Sequence, residues 1–245
     1  MTNPVSGPGY LIRGFKLINQ PGIRAFAILP ILLASLVFAL LVWLGFGYFG
    51  DLLEWILPSG DSWWVTLIRG VLWPLFFIAV VLLLYFSFTV LANLIAAPFN
   101  GLLAEKVEAL LTGQAPQQPT GVKALIADIL PSMINELRKL GYYLIWALPL
   151  LILFLIPMVN LIAPLLWALF VAWMHAFEYA EYPMENHHIR FKQVRQTLKS
   201  KRLLGLSFGA SVMVAMLIPV VNLLVMPAAV AGATAMWVEQ YKQKQ

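Results

Sequence analysis

No cysteine occurs anywhere in the 245 residues. A disulfide framework, a thiolate metal site and a cysteine nucleophile are thereby excluded. Charge is almost as scarce, with Asp, Glu, Lys and Arg making up 11% of the chain, against roughly 25% in a soluble domain. At 61% hydrophobic residues, the chain cannot clothe a water-facing surface of ordinary polarity, so its solvent is lipid. There is no Gly-x4-Gly-Lys phosphate loop, hence no ATP-driven engine, and nothing points to an enzyme. No cofactor, metal or nucleic-acid partner is expected. The 3 histidines add little. His187 and His188 stand beside Glu181 and Glu185, but adjacent histidines cannot face one site on a helix. Pro183 places the group in a surface turn, expected to be solvated rather than metal-binding. His175 reads as interfacial rather than as a proton relay.

What the sequence does have is long uncharged runs. The first, Ala25 to Gly50, holds 26 residues, enough for one spanning helix with some tilt. It is too long for a signal-peptide core and no small-residue cleavage site follows, so it is expected to stay. The second, Gly70 to Ala104, holds 35 residues. As one helix it would measure roughly 52 Å, against a hydrocarbon core of about 30 Å. It should tilt, kink or project, and Pro98 offers a kink.

Two further runs, Leu140 to Phe177 and Leu203 to Val238, share a central break: Ile156-Pro157-Met158-Val159-Asn160-Leu161 and Ile218-Pro219-Val220-Val221-Asn222-Leu223, offset by 62 residues. Pro164 and Pro227 follow the breaks, and Arg138-Lys139 and Lys201-Arg202 precede the runs. These features predict two helical hairpins turning at Pro157/Asn160 and Pro219/Asn222. Arms of roughly 15 to 17 residues, about 22 to 26 Å, suit hairpins that only partly penetrate the bilayer. The expected architecture is an all-α integral membrane protein forming one membrane domain over residues 1–245. Spanning helices fall at about 26–50 and 70–104, and hairpins at about 140–177 and 203–238.

Residues 51–69 hold Arg69 with Asp51, Glu54 and Asp61, whereas 15 of the 16 basic residues lie elsewhere. The positive-inside bias puts 51–69 outside and both termini in the cytoplasm. Trp55, Trp63, Trp64 and Trp73 sit in or beside that outer loop, where indoles favour the interface. Amphipathic stripes occur at 120–139, with Thr120 as a plausible N-cap, at Leu11, Phe15 and Ile18, and at Phe191, Val194 and Leu198 opposite Lys192, Arg195 and Lys199. Such basic helices are expected to lie on the membrane surface.

Three features bear on function. In Gln20-Pro21-Gly22-Ile23-Arg24, immediately before the first span, glycine lets backbone N–H groups approach a ligand. The following helix N-terminus is partly positive, and arginine adds a planar fork suited to a tetrahedral oxyanion. The alternative is an arginine that merely anchors the first helix. The hairpin tips would aim two helix N-termini, starting near Asn160 and Asn222 and capped by those side chains, into the bilayer. Asn and Pro would equally serve only the turns. Finally, Asn93, Asn100 and Glu105 punctuate an apolar helix and either line a conduit or bond between helices.

Pro21 to Arg24, Asn93 to Glu105, Tyr182-Pro183 with Asn186-His187, and Gly232-Ala233-Thr234-Ala235-Met236-Trp237 together resemble the CysZ family of bacterial inner-membrane sulfate permeases. The resemblance runs in order through almost the whole chain. It implies channel-like sulfate uptake for cysteine biosynthesis across the bacterial inner membrane, homo-oligomeric assembly, and contact with membrane lipids. Sulfite or other tetrahedral oxyanions come within the same chemistry. The family's sulfate-binding motif maps onto Gly22, Ile23 and Arg24; where some relatives have a second basic residue, this chain has Ala25. A pore could involve Glu105. The alternatives are a proton-coupled secondary anion transporter, with His175 or Glu105 as titratable group, and a non-transporting membrane scaffold.

Overall fold

A computed structural model describes residues 6–56, 62–114 and 122–242. Among the described residues it contains α-helices, one short 3-10 turn and no strand. The helices are α1 (Gly7–Leu17), α2 (Arg24–Ile56), α3 (Trp63–Thr112), α4 (Val122–Leu153), α5 (Ala163–Glu185), α6 (Phe191–Ser200), α7 (Arg202–Met216) and α8 (Pro219–Gln240). Among the described residues, three stretches are long and apolar enough to cross a membrane: Arg24–Tyr48, Trp63–Val80 and Val221–Gln240. The all-helical, membrane-spanning class expected from composition is what the chain adopts.

The chain divides into two compact units, Ile28–Phe99 and the remainder (Met1–Ala27 with Asn100–Gln245). In the smaller unit, α2 and the first part of α3 turn apolar side chains outward, including Leu36, Trp43, Trp63 and Leu67. Exposure on this scale marks a surface for lipid chains, which cost nothing to cover with leucine. Phe46 and Phe76 meet edge-to-face at 6.0 Å, a favoured aromatic geometry. The helices reach further than the expected outer loop at 51–69, since α2 runs to Ile56 and α3 begins at Trp63. Residues 57–61 lie outside the described residues. The 50-residue α3 passes Pro98 without ending, for a contour of about 75 Å. A proline removes one ladder bond, which a long helix survives.

In the larger unit α8 is the centre. Its run from Ala228 to Met236 is wholly buried, rich in Ala, Gly and Thr. Small side chains let neighbouring helices approach to backbone contact. At Gly14 of α1, an added Cβ would stand 1.9 Å from the Ala228 carbonyl oxygen, so only glycine fits where α1 lies along α8. α5 packs on α7 and α8, and α4 and α6 pack on α5.

Several expectations are corrected here. The apolar stripe of α1 does not face lipid: Tyr10, Leu11 and Ile18 are buried in the core. Phe191, Val194 and Leu198 of α6 are likewise buried against protein rather than lipid. The amphipathic piece at 120–139 and the first hairpin arm form one helix, α4, because no residue between them supplies a turn. Thr120 lies outside the described residues. α7 keeps to the expected length with 15 residues, but the arms after the turns are longer, with 23 in α5 and 22 in α8. Packing partners at their polar ends keep these helices going past the apolar runs. α5 continues through Pro183, and Glu181 is buried rather than in a surface turn.

Neither hairpin asparagine caps a helix. The residues before α5 and α8 are Ile162 and Ile218, with no side-chain cap, and each helix has proline in its first turn, Pro164 and Pro219. Proline there is pre-set for the helix and lacks an N–H that would need capping. Pro157 lies in the first turn, Met158 takes φ 70°, and Asn160 sits in the 3-10 turn Val159–Leu161. Asn222 is already helical, its N–H donating to the Ile218 carbonyl at 2.8 Å. The repeated sequence therefore makes two different turns, a wide one and a tight one.

Candidate anion-binding site

The link from α1 to α2 is a compact turn. The Gln20 N–H donates to the Leu17 carbonyl at 3.0 Å, and the Ile23 and Arg24 N–H groups both donate to the Gln20 carbonyl at 3.1 Å. Gly22 takes φ +86°, with nothing within 4 Å of where a Cβ would stand. Its need for glycine is thus conformational: the left-handed region costs other residues roughly 1–2 kcal/mol. Ile23 is 3% exposed and belongs to the main core, so it pins the turn from below. Gly22 and Arg24 remain exposed above it, and Arg24 is the first residue of α2.

The structure therefore brings Gly22, Ile23 and Arg24 together, with different parts to play. The Ile23 N–H is occupied within the turn and its side chain is an anchor. The Gly22 N–H donates to no backbone carbonyl among the described residues. Gly22 and Arg24 both stand exposed, and Arg24 sits at the partly positive first turn of α2.

The expected conduit residues are placed elsewhere. Asn93 lies in α3, with its side chain outside the described ones. Asn100 is 3% exposed and its side chain is hydrogen-bonded to the Tyr182 hydroxyl, while its Nδ2 is buried without a partner. Glu105 is half-buried on the same helix. For Asn100 the arrangement seen is the helix-to-helix bond. His175 stacks on Tyr179 and stands 3.8 Å from Glu178.

Sequence reasoning missed three ionic clusters in the larger unit. Glu108, 0% exposed, accepts from Lys242 Nζ at 2.6 Å, and both its oxygens lie within 3.0 Å of His187 Nε2. Its signal was present: Leu103, Ala104, Val107 and Leu111 form an apolar helical stripe, and Glu108 interrupts it. At the far end of α8, Arg13 pairs with Glu239, whose other oxygen accepts from the Tyr10 hydroxyl at 3.1 Å. Burial, with the Glu239 charge adding to it, pushes Tyr10 up to about 12 against the opposing Gln240 hydrogen bond. That hydroxyl therefore stays a donor at any physiological pH. Glu181 accepts from Lys139 at 3.0 Å and from Asn135 at 3.2 Å, and Asn135 in turn accepts the Phe191 N–H at 2.9 Å. This last cluster ties α4, α5 and α6 into one body beside the core that anchors Ile23.

Residues 10–227 match the family described as Sulfate transporter CysZ/Etoposide-induced protein 2.4. Curated relatives match across nearly their whole length. A protein of Pseudomonas aeruginosa (strain LESB58) is 44% identical over 240 residues, covering 98% of this chain and 97% of the relative. One of Pseudomonas fluorescens (strain Pf0-1) is 45% identical over 241 residues, covering 98% and 96%. One of Pseudomonas syringae pv. tomato is 45% identical over 236 residues, covering 96% and 93%. Each of the three is named Sulfate transporter CysZ. Helical class, near-complete coverage and this level of identity agree: the chain belongs to the Sulfate transporter CysZ/Etoposide-induced protein 2.4 family.

Proposed function

We propose that the chain is a sulfate permease giving sulfate a channel-like route across a bacterial inner membrane. The observation that carries this reading is end-to-end likeness, at 43–45% identity, to curated relatives named as sulfate transporters. Helices apolar enough to cross a membrane supply the setting.

In this reading Gly22 and Arg24 receive the anion. A tetrahedral dianion accepts from the Gly22 N–H and takes two parallel hydrogen bonds from the Arg24 guanidinium, while the α2 dipole favours its charge. Ile23 holds the turn to the core. Glu105, half-buried on α3, marks where a path would run. The hairpins penetrate only partly, which the 15 residues of α7 suit; the chain acts as one membrane domain, and both termini are cytoplasmic, as the distribution of 15 of 16 basic residues supports. Homo-oligomeric assembly and a role in cysteine biosynthesis belong to the same reading, on the family resemblance.

Purified protein in sealed liposomes, assayed for radiolabelled sulfate uptake with and without a pH gradient, tests it. Uptake independent of the gradient is expected. Uptake that appears only with a gradient would replace the channel by a proton-coupled carrier, and no uptake at all would leave a scaffold.

A further inference from the structure

We propose that the outward face of α6 is a docking surface for anionic phospholipid headgroups. From Arg190 to Arg202 the chain carries six basic residues and no acidic one. A sequence of this kind is ordinarily read as an amphipathic helix that inserts its apolar face into lipid. The structure removes that option, because Phe191, Val194 and Leu198 are buried within the protein. What α6 offers outward is charge.

Lys192 and Lys199 are exposed and seven residues apart, so they share a face about 10.5 Å long. Arg202 is exposed just beyond them. None of these three makes an ion pair among the described residues. Arg195 lies between the lysines. Its guanidinium lies over the Tyr142 ring, 5.3 Å from the centroid, and its Nε is buried without a hydrogen-bond partner. An arginine held over an aromatic face by its charge keeps a planar fork of N–H donors whose geometry matches phosphate oxygens.

The choice of a lipid follows from what borders the ridge. Tyr142 packs edge-on to Phe191 at 5.6 Å and to Trp146 at 6.4 Å. From there α4 exposes Leu144, Ile145, Trp146 and Leu148, and Leu203, directly after Arg202, is 83% exposed. A cationic ridge running straight into an apolar surface matches a molecule with a phosphodiester head and hydrocarbon tails. An acidic soluble partner would have no use for the apolar flank.

Full-length protein in detergent, mixed with equal amounts of phosphatidylglycerol and phosphatidylcholine, can be assayed by native mass spectrometry for the lipid of each kind it retains. Wild type is expected to favour phosphatidylglycerol, less so at high salt. The triple variant Lys192→Gln, Lys199→Gln, Arg202→Gln changes only exposed side chains and should keep its melting temperature. Basic residues near an anionic surface contribute roughly five-fold each, so its preference should fall by at least about ten-fold. Lys16→Gln with Lys106→Gln, exposed cations elsewhere, should leave the preference unchanged. The proposal fails if wild type shows no preference, if the triple variant keeps the wild-type ratio, if the control variant loses as much, or if inorganic phosphate displaces the lipid.

Discussion

Removing the Lys242 amine tests how the buried carboxylate of Glu108 is held. Glu108 has 0% side-chain exposure, and Lys242, 2.6 Å away, has 39%. Taking one partner from a buried ion pair costs about 3–5 kcal/mol, because the other charge is left without compensation. Two observations reduce that figure. His187 Nε2 stays at 2.8 and 3.0 Å from the two oxygens, and the half-exposed Lys242 position admits water once the side chain is gone. Lys242→Ala is therefore expected to destabilise by about 2–3 kcal/mol. Glu108→Gln should cost less, about 1 kcal/mol, since the amide keeps its volume and an acceptor, and the lysine can turn outward into solvent. The double variant should be no worse than Lys242→Ala alone, because with no carboxylate the lysine has nothing left to neutralise; coupled neighbours depart from additivity in this way. Apparent melting temperature of purified protein in detergent, followed by tryptophan fluorescence, ranks the three. A Lys242→Ala variant as stable as wild type, or a double variant equal to the sum of the singles, would refute the reasoning.

Two other outcomes are expected. Arg24→Ala should weaken sulfate binding by roughly ten- to a hundred-fold, the worth of a charge-assisted hydrogen bond; Arg24→Lys should recover only part, since the fork is lost. Calorimetry on purified protein decides this, and wild-type affinity in the alanine variant would end the assignment. Gly14→Ala drives a Cβ to 1.9 Å from the Ala228 carbonyl oxygen, so α1 must lift from α8 at a cost of about 3 kcal/mol. Gly141→Ala, with open space at its Cβ, should be neutral or stabilising by under about 1 kcal/mol; equal melting temperatures for both variants would contradict the backbone contact.

Composition and the spacing of charges determined the solvent, the helical class and the location of the spans, because in lipid every backbone polar group must be paired internally and few structures achieve that. The repeated Pro-x-Val-Asn break located both hairpin turns. The local sequence Pro21 to Arg24 likewise marked a glycine just before a helix N-terminus, and Arg24 does start α2, with Gly22 at φ +86° before it. These features are legible because they depend on neighbours in the chain. Which faces of α1 and α6 meet protein, and what partners Glu108, Glu181 and Glu239, were decided only by the tertiary structure. Phe191, Val194 and Leu198 form the same stripe whether they touch lipid or α5, and periodicity carries no sign that distinguishes the two. Nothing local to Glu108 names its partners: His187 and Lys242, 79 and 134 residues away in sequence, close on it only in the fold. Burial and ion pairing are properties of the approach of distant segments, as at Gly14, where α1 meets the backbone of α8.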